Sequence, residues 1–83
     1  MYKLRVSNRA KRDLKLMSLS HKTAIIFALQ DIKDDPLLGK PLTRNLSGRF
    51  SYRIGVSRII YTVNEKDKVI EVLSAGHRSV VYN

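Results

Sequence analysis

The chain contains no cysteine. Without a thiol there is no disulfide framework, no thiolate metal site and no cysteine nucleophile, and the composition fits a reducing cytoplasm. Repeats, linkers and low-complexity stretches are absent too; both prolines and two of the four glycines fall within residues 36–49. No apolar run approaches the roughly 20 residues that span a bilayer. The opening MYKLRVSNRAKRDLK lacks the apolar centre of a signal peptide. The expectation is a soluble, cytoplasmic protein with no membrane partner. Acids are scarce as well: 7 Asp and Glu against 16 Lys and Arg leave a net charge of +9 at pH 7. A polyanion is the natural partner of such a chain. Nucleic acid, an anionic membrane surface and an acidic protein would each satisfy the imbalance. Nucleic acid comes first, because phosphate contacts supply most of the non-specific affinity of small basic domains.

What is present is enough for one small domain: 83 residues, 43% of them hydrophobic, support a single modest core spanning residues 1–83. Tyr2, Leu4 and Val6 alternate with Lys3 and Arg5, the period of a half-buried strand. Ser7 or Asn8 can cap a helix in which Ala10, Leu14 and Met17 recur at helical spacing and Arg9, Lys11, Arg12 and Lys15 cover other faces. Ser20 is the next plausible cap, followed by the stripe Ala24, Ile25, Ala28, Leu29 and Ile32, which Asp35 and Pro36 end. Residues 36–49 read as a connecting loop pinned by Leu37, Leu38, Leu42 and Leu46. FSYRIGV, SRIIYTVN and KVIEVLSAGHR then read as strands, the last two forming a hairpin across Glu65, Lys66 and Asp67. This order predicts an α+β fold, with two N-terminal helices packed on a mainly antiparallel four-stranded sheet. From Pro36 to Asn64 the chain carries Lys40, Arg44, Arg49, Arg53 and Arg58 without an acid, which points to a one-sided positive face.

Several chemistries are excluded by what the motifs do not contain. Asp31, Asp34 and Asp35 read as a helix end with no histidine cluster beside them, so neither a metal nor any other cofactor is expected. There is no glycine-rich phosphate loop and no Gly-x-Ser-x-Gly elbow, so nothing points to a nucleotide, a serine hydrolase or any other small-molecule ligand. Tyr52 and Tyr61 alternate with apolar strand residues and read as core. Phe27 lies off the apolar stripe of its helix, facing either the loop leucines or a partner.

Four segments cover nearly the whole chain in order: YKLRVSNRAKRDLKLM, DDPLLGKPLTRNLSG, FSYRIGVSRIIYTV and VIEVLSAGHRSVVY. A strand carrying YR, a next strand carrying RIIY, and a last strand ending GHR shortly before a terminal tyrosine together resemble the RelE/ParE toxin superfamily. The resemblance implies a toxin held silent by a cognate RelB-like antitoxin. RelE-type members enter the ribosomal A site and cut mRNA there; ParE-type members inhibit DNA gyrase.

Metal-free RNA cleavage needs the 2′-hydroxyl deprotonated, the charge of the pentacovalent phosphate stabilised and the leaving 5′-oxygen protonated. By resemblance, Arg58 and Arg78 match active-site arginines of the RelE group and could hold one phosphate through paired guanidinium forks. Tyr82 resembles the C-terminal tyrosine that moves protons there, although it follows Arg78 at a shorter spacing. A phenol ionises near pH 10, so it acts as a base at pH 7 only where neighbouring cations favour the phenolate. His77 is a second candidate for proton transfer. Strand alternation sends His77 and Arg78 to opposite faces unless the strand has ended or bulged. Arg49, Arg53 and the basic helix residues Lys11, Arg12 and Lys15 are expected to hold RNA. Gly55 departs from relatives that carry a lysine there. The resulting expectation is a ribosome-dependent mRNA endonuclease whose partners are an antitoxin, the ribosome and mRNA. The alternatives are a gyrase inhibitor without chemistry, or an inactive relative acting as an antitoxin-binding corepressor.

Overall fold

The computed structural model describes residues 2–42 and 48–77. The chain runs β1 (Lys3–Val6), α1 (Asn8–Lys15), α2 (Leu19–Asp34), β2 (Lys40–Pro41), β3 (Arg49–Ile54), β4 (Ser57–Asn64) and β5 (Val69–His77). These elements bear out the expected α+β class. The strands form one mixed sheet in the order β1-β5-β4-β3-β2, with β1 parallel to β5 and the remaining neighbours antiparallel.

Three details differ from the sequence expectation; one is that Leu37 and Leu38, expected to pin the loop to the core, are 63% and 43% exposed. The sheet has five strands rather than four, because Lys40 and Pro41, inside the expected loop, pair with Ser51 and Phe50. A proline can occupy this place because β2 is an edge strand and needs no second ladder partner. The second helix is capped by Ser18, not Ser20: the Ser18 hydroxyl accepts the His21 N–H at 3.4 Å, and Ser20 falls in the first turn.

Helix α1 is fixed at both ends. Ser7 caps it by accepting the Ala10 N–H at 3.1 Å, and the same hydroxyl donates to the Leu73 carbonyl at 2.9 Å. Near its C-terminal end, Asp13 accepts the Ala75 N–H at 3.1 Å. Both contacts flank an irregularity in β5: Ile60 pairs with Ser74 while Tyr61 pairs with Val72, so Leu73 is an extra residue in the ladder. A bulge interrupts the regular exchange of ladder hydrogen bonds, and at this one a serine and a carboxylate from α1 bond the adjacent backbone.

The core lies between the helices and one face of the sheet. Ala10, Ile25, Ala28, Leu29 and Ile32 from the helices meet Ile59, Tyr61, Ile70, Val72 and Ala75 from the strands. Phe50 stacks on Tyr61 with ring centroids 5.4 Å apart. Tyr61 is therefore a core tyrosine, as its place in the strand pattern predicts.

Candidate functional site

Alternation along β3 and β4 gives the sheet a second face of different composition. Ile59, Tyr61 and Val63 contribute to the helix-side core, so Arg58, Ile60 and Thr62 project to the opposite side. The register pairs Arg53 with Arg58, Ser51 with Ile60 and Arg49 with Thr62. Arg49, Ser51 and Arg53 consequently share the face of Arg58. On β5 the pairing partners are Gly76 for Arg58 and Ser74 for Ile60.

A groove of about 290 Å³ opens at one end of this face, lined by Leu38, Gly39, Lys40, Ser51, Tyr52, Arg53 and Arg58. Among the described residues it is lined by three cations and no carboxylate. Arg58 is only 6% exposed, and Ser51 and Ser74 on the same face are also buried. A guanidinium shielded from water acts in a lower effective dielectric, which strengthens its attraction for an anion that enters. At the other end of the same face a smaller groove of about 210 Å³ is lined by Arg5, Thr62, Asn64, Asp67, Val69 and Glu71. Its two carboxylates make it a mixed-charge surface. The positive end is the one suited to a phosphate.

Gly55 has a conformational reason to be glycine. Ile54 pairs with Ser57, leaving Gly55 and Val56 as a two-residue hairpin turn, and Gly55 has φ +58. A positive φ at the first turn position is the pattern that favours glycine, and a lysine there would be strained. The groove receives its ammonium from elsewhere: Lys40, whose backbone pairs with Ser51. The sequence counts Lys40 among the cations of the positive face but does not place it at the site, because it lies in what reads as loop. The signal that could have found it is the position of Lys40 beside a proline, at the start of a short edge strand.

The expected site residues fall into separate groups. Arg53 and Arg58 meet in the groove, while Arg49 shares their face and lies farther along β3 beside Thr62. His77 pairs with Ser57, one position out of phase with Arg58. The bulge at Leu73 is the cause: it shifts the phase of β5, so that Ala75 joins Val72 on the core side and Gly76 faces with Arg58. Lys11, Arg12 and Lys15 are exposed on α1, which packs against β5 from the core side. They are thus separated from the groove by the sheet. Arg78 and Tyr82 lie outside the described residues. Among the described residues no helix is long and apolar enough to cross a membrane.

One buried hydroxyl organises the groove wall. The Tyr61 hydroxyl donates to the Pro36 carbonyl at 2.9 Å and accepts the Gly39 N–H at 2.9 Å. Burial raises its pKa above the usual 10.0, with the Gly39 N–H opposing and the charge of Asp35 adding to the rise. The phenol stays neutral at physiological pH and can donate as well as accept.

The model of the ParE toxin family of type II toxin–antitoxin systems matches residues 4–82. Toxin RelG of Mycobacterium tuberculosis is 35% identical over 83 residues, covering 98% of this chain and 95% of that protein. The toxin–antitoxin complex RelBE2 from the same organism contains a chain that superposes with a TM-score of 0.86 at 35% identity, covering 93% of this chain and 98% of that one. The isolated RelE toxin of E. coli shares the fold, with a TM-score of 0.80 at 21% identity over 99% of this chain and 92% of that one.

Proposed function

The chain belongs to the ParE toxin family of type II toxin–antitoxin systems, within the RelE/ParE superfamily, and from that premise we propose that it is a ribosome-dependent endoribonuclease that cuts mRNA in the A site and so inhibits translation. The observation that carries the proposal is the acid-free groove in which Lys40, Arg53 and Arg58 converge on the helix-free face. The 35% identity to Toxin RelG supports the RelE-type reading.

In this reaction the 2′-oxygen attacks the adjacent phosphorus and the bond from phosphorus to the 5′-oxygen breaks. The products are a 2′,3′-cyclic phosphate and a 5′-hydroxyl. Arg58 and Arg78 stabilise the charge that builds on the equatorial oxygens, the largest contribution that a metal-free site can make. Tyr82 accepts or returns the proton. His77 is the weaker candidate because its strand position is out of phase with Arg58. Arg53 and Arg49 hold the RNA backbone along the face. On the far side of the sheet, Lys11, Arg12 and Lys15 contact phosphates of the surrounding ribosomal RNA and strengthen the long-range attraction. No cofactor takes part. A RelB-like antitoxin is the cytoplasmic partner that silences the toxin, a reading supported by the RelBE2 complex of the similar protein.

A second reading, gyrase inhibition without chemistry, is favoured by the matching family model, which is that of ParE toxins. Induced expression without antitoxin separates the two. New RNA 5′ ends confined to the translated version of a transcript establish the nuclease. Intact RNA with growth arrest and DNA-damage signalling establishes the gyrase inhibitor instead.

A further inference from the structure

Leu38, Gly39 and Lys40 line one wall of the positive groove, and the backbone of the segment that carries them is held at successive points. The Leu38 N–H donates to the Asp35 carbonyl at 3.0 Å, and the Leu37 N–H to the Asp35 carboxylate at 3.3 Å. The Tyr61 hydroxyl then bridges Pro36 and Gly39. The fit is close: a Cβ added at Gly39 would lie 2.5 Å from the Tyr61 hydroxyl oxygen. Immediately after this latch, Lys40 enters the sheet opposite Ser51. Its backbone is therefore fixed on one side by the phenol and on the other by the ladder, while its side chain remains exposed.

Lys40 lines the same groove as Arg53 and Arg58, and among the described residues no carboxylate lines it with them. An ammonium on a flexible stem complements two guanidinium forks: the forks orient a phosphate, and the lysine adds a mobile point charge. We infer that Lys40 contacts a backbone phosphate of RNA bound in this groove, and that the Tyr61 hydroxyl is the positioning group that holds the Lys40 segment in place. The inference rests on the nuclease reading for its choice of ligand. It adds to that reading a contact from the β2 segment and a buried group acting through it.

The test uses the full-length protein and a short RNA carrying 2′-O-methyl groups, which binds without being cut. Fluorescence anisotropy over a series of salt concentrations gives the slope of log affinity against log salt. Lys40→Ala reduces the magnitude of that slope by about 0.7, the value for one phosphate contact on a single strand. It also weakens binding at low salt by about tenfold, and Lys40→Arg restores both. Tyr61→Phe weakens binding in the same direction, and the double variant binds no more weakly than Lys40→Ala, because the phenol acts through the lysine. Thermal melts compare the folds of all variants at the binding temperature. An unchanged slope in Lys40→Ala overturns the contact, as does failure of the unmodified protein to bind this RNA. Additive losses in the double variant overturn the positioning role of Tyr61. Lys40-dependent RNA binding by a protein that cuts no mRNA on ribosomes leaves the contact standing and removes the nuclease reading. Cleavage with a Lys40-independent slope does the reverse.

Discussion

On β4, Ile59 and Tyr61 enter the core beneath the helices, while Arg58 and Thr62, their immediate neighbours in sequence, face the other way. The same strands thus build two surfaces by alternation alone. One removes apolar area from water and supplies stability. The other shields the Arg58 guanidinium and the Ser51 and Ser74 hydroxyls, an arrangement that costs solvation energy. Stability and anion binding therefore respond to substitutions at adjacent positions in opposite ways.

The largest expected effect is on the helix-free face. Arg58→Ala lowers the rate of mRNA cleavage on ribosomes by about 10²–10³-fold, the usual cost of losing one donor to transition-state charge. Ile59→Ala, one residue away, acts on the other property: removing this fully buried side chain costs about 2–5 kcal/mol, read by urea denaturation. If Ile59→Ala instead left stability unchanged and lost cleavage, the division between the faces would be wrong.

Asp13→Ala acts on the device that sets the phase of β5. It leaves the Ala75 N–H beside the bulge without its carboxylate and costs about 1–3 kcal/mol. Faster hydrogen exchange at Ala75 and Gly76, relative to β3, is the expected signature. The smallest effect is a dependence on alkaline pH. The folded Tyr61 ionises above the 10.0 of an ordinary phenol, so its contribution is complete below pH 10 and declines as pH rises beyond it. The Tyr61→Phe variant is less stable at neutral pH and lacks this part of the alkaline decline, which melts across pH 9–12 measure.

The periodicities of Tyr2–Val6, of the α2 stripe and of SRIIYTVN were enough to place the strands, the helices and the core tyrosine, because each element buries one face of its own period. Local pattern could not show Lys40 in the sheet, since a two-residue edge strand has no period to detect. Nor could it show the extra residue at Leu73. That bulge depends on pairing with β4 and on Ser7 and Asp13 from a helix more than 60 residues earlier in sequence, and it decides that His77 is out of phase with Arg58. Among the site residues, the pairing of Arg53 with Arg58 came only with the register of β3 on β4. The separation of Lys11, Arg12 and Lys15 from the groove needed the stacking of α1 on the sheet. The expectations for Arg78 and Tyr82 rest on the motif that carries them.

The most direct measurement is single-turnover cleavage of end-labelled mRNA on programmed ribosomes by the purified unmodified protein and by Arg58→Ala, with the folded fraction of each fixed by circular dichroism. The account predicts a 2′,3′-cyclic phosphate product from the unmodified protein and a rate about 10²–10³-fold lower from a folded Arg58→Ala. Equal rates from the two would contradict it.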